Sequence, residues 1–261
     1  VWNNLTGYGL KMVPLAAVPL LGKGIAEIVS GTVIVALAAL AEQAGQRKAT
    51  SRVFSVLGDI YRIRGRWTAA DECYQRALSA LTATGNPHSQ FHITLSLGIT
   101  NMERSRYAKA QEHLDKCWSI SSHGLGFTSR MASVKSTMGE LSIRLGALAE
   151  AEAHADQAVA LAKEADVRQE LAHATMVKGI IDIQRRNWDK ALEHCHFAYQ
   201  LFQELGDKYN TGRIHAVYGQ LYSERNESDK DRQCAQEHLS TAREIFGQLE
   251  AETELRKLPS V

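Results

Sequence analysis

Proline is scarce. Four prolines in 261 residues leave long stretches that no imino ring interrupts, and two of them, Pro14 and Pro19, fall in the irregular first 24 residues. Net charge is nearly absent: 30 basic against 29 acidic residues give +1. That balance removes the electrostatic argument for a nucleic-acid or anionic-membrane partner. Cysteine is limited to Cys73, Cys117, Cys195 and Cys234, with no C-x-x-C pair. They read as small packing residues in a reducing, cytoplasmic compartment. The apolar uncharged run Ile28 to Ala41 has 14 residues, short of the ~20 needed to span a membrane, so a buried helix is expected instead.

Catalytic signatures are also missing. Gly22-Lys23-Gly24 lacks the upstream glycine and following hydroxyl of a phosphate-binding loop, and no G-x-S-x-G occurs. His194, Cys195 and His196 look metal-like by composition, but adjacent helical positions diverge by ~100°. His92 and His173 are two repeats apart, roughly 20 Å if neighbouring helices are ~10 Å apart, far beyond a shared ligand distance. The sequence therefore points to no enzyme, no cofactor and no metal.

What is present is a period. Glycines at Gly58, Gly98, Gly139, Gly179 and Gly219 are separated by 40, 41, 40 and 40 residues. Ala70, Ala110, Ala151 and Ala191 lie 12 residues after the first four; Trp67, Tyr107, Leu148 and Trp188 lie nine after; Ala77, Cys117, Ala158 and Ala198 lie 19 after. A second series, Gly45, Gly85, Gly126, Asp166 and Gly206, lies 13 residues before the five glycines and reads as helix stops. A period of this length means stacked supersecondary units. Each unit reads as two helices, with the small residues permitting close approach. Helix pairs are expected near 51–64 and 67–83, 88–104 and 107–121, 127–145 and 148–165, 168–185 and 188–205, and 208–225 and 231–250.

Residues 1–45 form a degenerate leading segment, in which Ser30, Ile34 and Leu37 sit 40 residues before Ala70, Tyr74 and Ala77. Its helix, Ile25 to Ala44, is apolar nearly all round, and together with the initial Val1 this leads us to expect a fragment of a longer chain. Residues 46–250 carry the five pairs, and 251–261 are a C-terminal tail. The last unit holds an insertion near RNESDKDRQ; looping out four residues restores Ala235, Leu239 and Ala242 to the packing face. EIFGQLEAETELRKL reads as one amphipathic capping helix. Thr68 with Asp71 reads as a capping box, and Arg62-Ile63-Arg64-Gly65-Arg66 as a solvated basic helix end.

The G-x-x-Y, G-x-aromatic-x-x-A and later aromatic and alanine positions, matched from about Ser51 to Ala198, resemble the tetratricopeptide repeat family. Departures are Ser105, Arg186 and Asn226 at the second glycine, and a ~40-residue unit in place of the commoner 34. Long units of this kind are found in large bacterial signalling ATPases, maltose-activator-type regulators and peptide receptors. The resemblance implies an all-α, right-handed solenoid of antiparallel helix pairs, whose first helices line a concave binding face.

Carried over position by position, that face comprises five rows. Unit one supplies Arg52, Ser55, Asp59 and Arg62. Unit two supplies His92, Leu95, Ile99 and Met102. Unit three supplies Ser133, Ser136, Glu140, Ile143 and Arg144; unit four, His173, Met176, Ile180 and Ile183; unit five, Arg213, Ala216, Gln220 and Ser223. The apolar members in units two and four are expected to form a groove for an apolar or amphipathic segment, flanked by arginines that steer acidic residues. Tight curvature would instead bury them among the helices. The implied function is a protein- or peptide-binding module in a larger signalling or regulatory polypeptide, its partner a protein segment or another domain of that polypeptide. The alternative is an effector-sensing regulatory domain, of a signalling ATPase or transcription activator, that binds a small ligand.

Overall fold

The computed structural model describes residues 45–81, 87–122 and 128–259, with Leu40 and Gln43. The leading helix expected at Ile25 to Ala44, and the stops at Gly85 and Gly126, lie outside or almost outside these residues. Eleven helices and no strands occur among the described residues. Ten form five antiparallel pairs: α1 (Arg47–Ile63) with α2 (Trp67–Leu81), α3 (Pro87–Glu103) with α4 (Tyr107–Ser122), α5 (Thr128–Arg144) with α6 (Leu148–Glu164), α7 (Arg168–Gln184) with α8 (Trp188–Leu205), and α9 (Lys208–Arg225) with α10 (Asp229–Gln248). A single turn, α11 (Glu252–Leu255), follows.

The small-residue series sets the spacing within each pair. Ala70, Ala110, Ala151 and Ala191 are fully buried. A Cβ on Gly58 would lie 2.5 Å from the Tyr74 ring, one on Gly179 2.9 Å from Cys195 Sγ, and one on Gly219 2.6 Å from Leu239. The repeat glycines therefore mark the closest approach of first helix to second, and the side chain that would collide is the one filling the joint. Trp67 and Trp188, at the start of the second helices, are only half-buried.

The helix ends follow the second regularity. Gly65, Ser105, Gly146, Arg186 and Asn226 all adopt positive φ, between 41° and 76°. The three non-glycine replacements thus keep the left-handed geometry of the position they occupy. Gly45, Asp166 and Gly206 do the same between units. Asp207 and Ser228 cap α9 and α10 by accepting the amides of Asn210 and Asp231. The expected capping box does not form: Thr68 lies inside α2, and Asp71 accepts Arg104 Nη1 on one oxygen at 2.6 Å while its other oxygen is buried without a hydrogen-bond partner.

The insertion in unit five is not looped out. The link between α9 and α10 is Asn226–Ser228, the same length as Arg64–Arg66 in unit one. The extra residues are helical, extending both α9 and α10, and Leu239 still meets Gly219. The expected amphipathic capping helix is also broken. It stops at Gln248, turns at Glu250 with φ 51°, and resumes as α11.

First helices crowd on the inner side of the solenoid. Four threonines there satisfy themselves: Thr100, Thr137, Thr175 and Thr211 each donate to the carbonyl four residues earlier, whereas the buried hydroxyls of Ser51 and Ser136 have no hydrogen-bond partner. Small, locally satisfied side chains let consecutive first helices pack closely, which curves the solenoid tightly. The curvature brings its two described ends together. Ile63 joins Phe246, Leu249, Ala251, Leu255 and Leu258 in one apolar cluster.

Candidate functional site

The interior of this curve is charged and half-open. Two adjoining cavities share Glu140, Arg144, Arg213, Glu254 and Lys257. The smaller, about 190 Å³, is lined by Arg62, Ile99, Met102, Glu103, Glu170, His173 and Tyr209, among others. The larger, about 510 Å³, is more apolar, with Ile143, Ile180, Ala216, Val217, Leu239 and Leu258 beside Gln184, Gln220 and Glu224.

Glu140 organises the smaller cavity. One of its oxygens accepts from Arg213 Nη2 at 2.7 Å and from His173 Nε2 at 2.6 Å. Burial works against the Glu140 carboxylate, but Arg213 and the hydrogen bond from His173 outweigh it and hold its pKa well below the ordinary range. The same contest leaves Arg213 firmly protonated, with Glu140 prevailing over burial. Helix α5 supplies the carboxylate, α7 the imidazole and α9 the guanidinium, so one ion centre ties three consecutive units. Nearby, burial raises the Glu170 carboxyl, partly offset by His173.

A second centre surrounds Arg62. Its Nη1 donates to Glu103 at 3.2 Å, and Lys257 Nζ stands 4.0 Å from the same oxygen. Lys257 also pairs with Glu254 at 2.7 Å, and Tyr209 donates to Glu254 at 3.0 Å. Burial disfavours the Glu254 carboxylate, yet Lys257 and Arg213 hold its pKa below the usual value. Arg62 is therefore an interior cation and not a solvated helix end; Arg64 pairs with Glu250 at 2.7 Å.

The residues expected on the concave face separate into three groups. Arg62, Ile99, Met102, Glu140, Arg144, His173 and Arg213 line the smaller cavity; Ile143, Ile180 and Gln220 line the larger. Met176 and Ile183 are fully buried in the packing of units four and five, where tight curvature takes them out of any groove, and Leu95 packs beside the core of units two and three. Ser55 is buried and contacts exposed His92 at 3.2 Å. Asp59 accepts from Tyr74 and from Ser96, each at 2.8 Å, and so serves the joint between units. Arg52 is exposed and outside both cavities.

Glu103, Glu170, Tyr209, Glu254 and Lys257 were not expected. Glu103 occupies the position five residues after Gly98, one that the row assigned to unit two passes over in favour of Met102. Glu254 and Lys257 lie beyond the last repeat, where periodicity carries no information.

His194 pairs with Asp182 at 2.8 Å, Cys195 is buried against Gly179, and His196 contacts Gln200. Burial pushes the thiols of Cys73 up to about 11 and of Cys117 and Cys195 to about 12, which suits packing and not nucleophilic chemistry. Among the described residues no group of three or more His, Cys, Asp or Glu side chains could hold a metal, and no helix is long and apolar enough to cross a membrane.

This architecture has relatives in sequence and structure. Residues 49–121 match the tetratricopeptide repeat family model. The pairs beyond residue 121 continue the same tetratricopeptide-like solenoid. Among solved structures, BtubC from P. vanneervenii superposes with a TM-score of 0.60 at 19% identity, covering 83% of this chain and 89% of that one. A signal-transduction ATPase with a tetratricopeptide repeat sensor from Pyrococcus horikoshii superposes at 0.56 and 16% identity, covering 87% of this chain and 36% of that one. At these identities the likeness is one of fold. No curated protein matches the sequence.

Proposed function

We propose that the chain is a protein- or peptide-binding module that works as part of a signalling or regulatory polypeptide, its concave face receiving a peptide segment. The observation that carries this reading is the larger cavity. Its apolar floor, from Ile143, Ile180, Ala216 and Leu239, is bordered by Arg144 and Arg213, the composition that takes up an amphipathic segment by apolar anchors and charged flanks. Its cations are matched by interior carboxylates, so neither nucleic acid nor a membrane surface is the expected partner.

The test is selection from a random peptide-display library on the immobilised chain, with Arg144→Glu as the counter-target. Arg144 is exposed, so its reversal leaves the fold intact. Peptides retained by the wild-type chain and lost on Arg144→Glu support the concave face. Enrichment that ignores this substitution places binding elsewhere.

A second reading rests on the smaller cavity. A half-open space of about 190 Å³, lined by paired cations and carboxylates, suits a small polar effector, as in a sensing domain of a signalling ATPase or transcription activator. Native mass spectrometry of the purified chain separates the two: a retained small molecule favours the sensor.

A further inference from the structure

Residues 250–258 behave unlike the repeats they follow. Helix α10 is already complete at Gln248, and the left-handed Glu250 ends it. The chain then turns inward. Thr253 Oγ1 donates at 2.8 Å to the Arg62 carbonyl in the last turn of α1, which also accepts the Gly65 amide at 3.0 Å. Glu254 meets Tyr209 on α9, and Lys257 faces Glu103 on α3. Leu255 and Leu258 enter the apolar cluster that holds Ile63.

Each contact follows the logic of peptide recognition. One hydroxyl takes the second lone pair of a helix-end carbonyl. One carboxylate enters a site supplied with Tyr209 and Arg213, and one ammonium faces the opposing carboxylate. Two leucines act as apolar anchors. The contacts reach units one, two and five, so the segment spans the opening between the two ends of the solenoid. It also contributes Glu254, Lys257 and Leu258 to the walls of the larger cavity. A segment entering that cavity must meet it.

We infer that the seat of residues 250–258 is itself a peptide-binding site, held in cis by this strap, and that a partner enters by displacing it with a helical turn of like chemistry: threonine and glutamate, then leucine, then lysine and leucine. This rests on the concave-face reading above and adds the identity of the recognised pattern. It also supplies a means of control, since whatever loosens the strap exposes the seat.

The experiment uses the full chain with Glu254→Arg, which sets a new cation near Arg213, Arg62 and Lys257, and separately with Lys257→Glu, which sets a carboxylate against Glu103. Lys257 is exposed, so the second variant keeps the fold even if the first does not. A fluorescein-labelled peptide with the sequence of residues 249–260 is titrated in trans by anisotropy. Expected is binding at least tenfold tighter to a variant than to the wild-type chain, abolished when the peptide itself carries Glu254→Arg. Equal or absent binding on wild type and on the folded variants overturns the strap. Display-selected peptides separate the two ideas. If they bind wild type and variants alike, the concave-face reading stands and the strap falls; if no peptide binds any of the chains, both fall.

Discussion

The hydroxyl of Thr253 donates to the carbonyl oxygen of Arg62 at 2.8 Å, joining residues 191 positions apart. Thr253 is buried, so replacing it with the near-isosteric valine removes one of two donors to this carbonyl and leaves it the Gly65 amide at 3.0 Å. Thr253→Val is expected to destabilise by about 0.5–1.5 kcal/mol and to raise hydrogen exchange in the last turn of α1. Unchanged exchange there would mean that the two ends of the solenoid do not support each other.

Two glycines on packed helices should respond in opposite directions. An alanine at Gly58 would put its Cβ 2.5 Å from the Tyr74 ring, and that ring cannot swing away. It is fully buried and its hydroxyl is tied to Asp59. Gly58→Ala should cost on the order of 1–3 kcal/mol by overpacking. Gly247 has nothing within 4 Å of its would-be Cβ and lies inside α10. Gly247→Ala should stabilise by about 0.5–1 kcal/mol through helix propensity. Urea midpoints of the two variants decide; a Gly58→Ala midpoint that does not fall would show that the repeat glycine is not a packing requirement.

The contrast explains how far the sequence could be read. Helix pairs were legible because Gly58, Ala70 and Ala77 recur with their partners in phase, and only close helix packing demands small residues at those spacings. The helix stops were legible for the same kind of reason, and Ser105, Arg186 and Asn226 show that backbone geometry persists where residue type does not. Curvature was not legible. Whether Ile99 or Ile183 faces a cavity or the core depends on small rotations between units, and a period of 40 residues looks the same in either case. Arg62 looked like surface because neighbouring residues are basic; its acceptor Glu103 is 41 residues away. The strap could not be read from the repeats at all, since it follows the last of them.

Acid should weaken the fold first through a pair of histidines. His215 Nδ1 and His238 Nδ1 are 2.9 Å apart, so one must donate and the other accept. Tyr218 and Tyr222 stack on His238, and Tyr199 meets His215 edge-on. Burial, and then the charge of His238, lowers His215 to about 4 from an ordinary 6.5; burial lowers His238 as well, against a small opposing effect of Glu237. Both bind protons more readily unfolded than folded, so their stabilisation is complete above pH 6.5 and is lost as pH falls through the folded values. The thermal midpoint should decline between pH 6.5 and about 4.5, and less so in His215→Phe/His238→Phe. The residual slope belongs to His113 and His154, which burial also depresses. An identical slope in the double variant would remove this pair as the cause.

The Glu140–Arg213 pair decides whether the interior is a closed, packed centre or a solvated channel. Side-chain exposures are 12% for Glu140 and 21% for Arg213, and the partners come from α5 and α9, two units apart. In a dry setting, removing one partner strands the other. Arg213→Met should cost about 3–5 kcal/mol, and Glu140→Leu a similar amount, while Glu140→Leu/Arg213→Met should recover most of the loss, because neither charge is left alone. The acid limb reports the same geometry by a second route. Arg213 helps hold the Glu140 pKa down, so its folded-state stabilisation is present above the ordinary carboxylate value of 4.5 and is lost as pH falls below it. In Arg213→Met the Glu140 pKa rises, and the acid unfolding midpoint should move to higher pH. His173 still donates to Glu140 in that variant, so the shift is partial. If each single substitution costs less than about 1 kcal/mol, as exposed pairs do, water reaches the pair freely. The concave face is then an open channel whose apolar side walls, not its ion centres, select what enters.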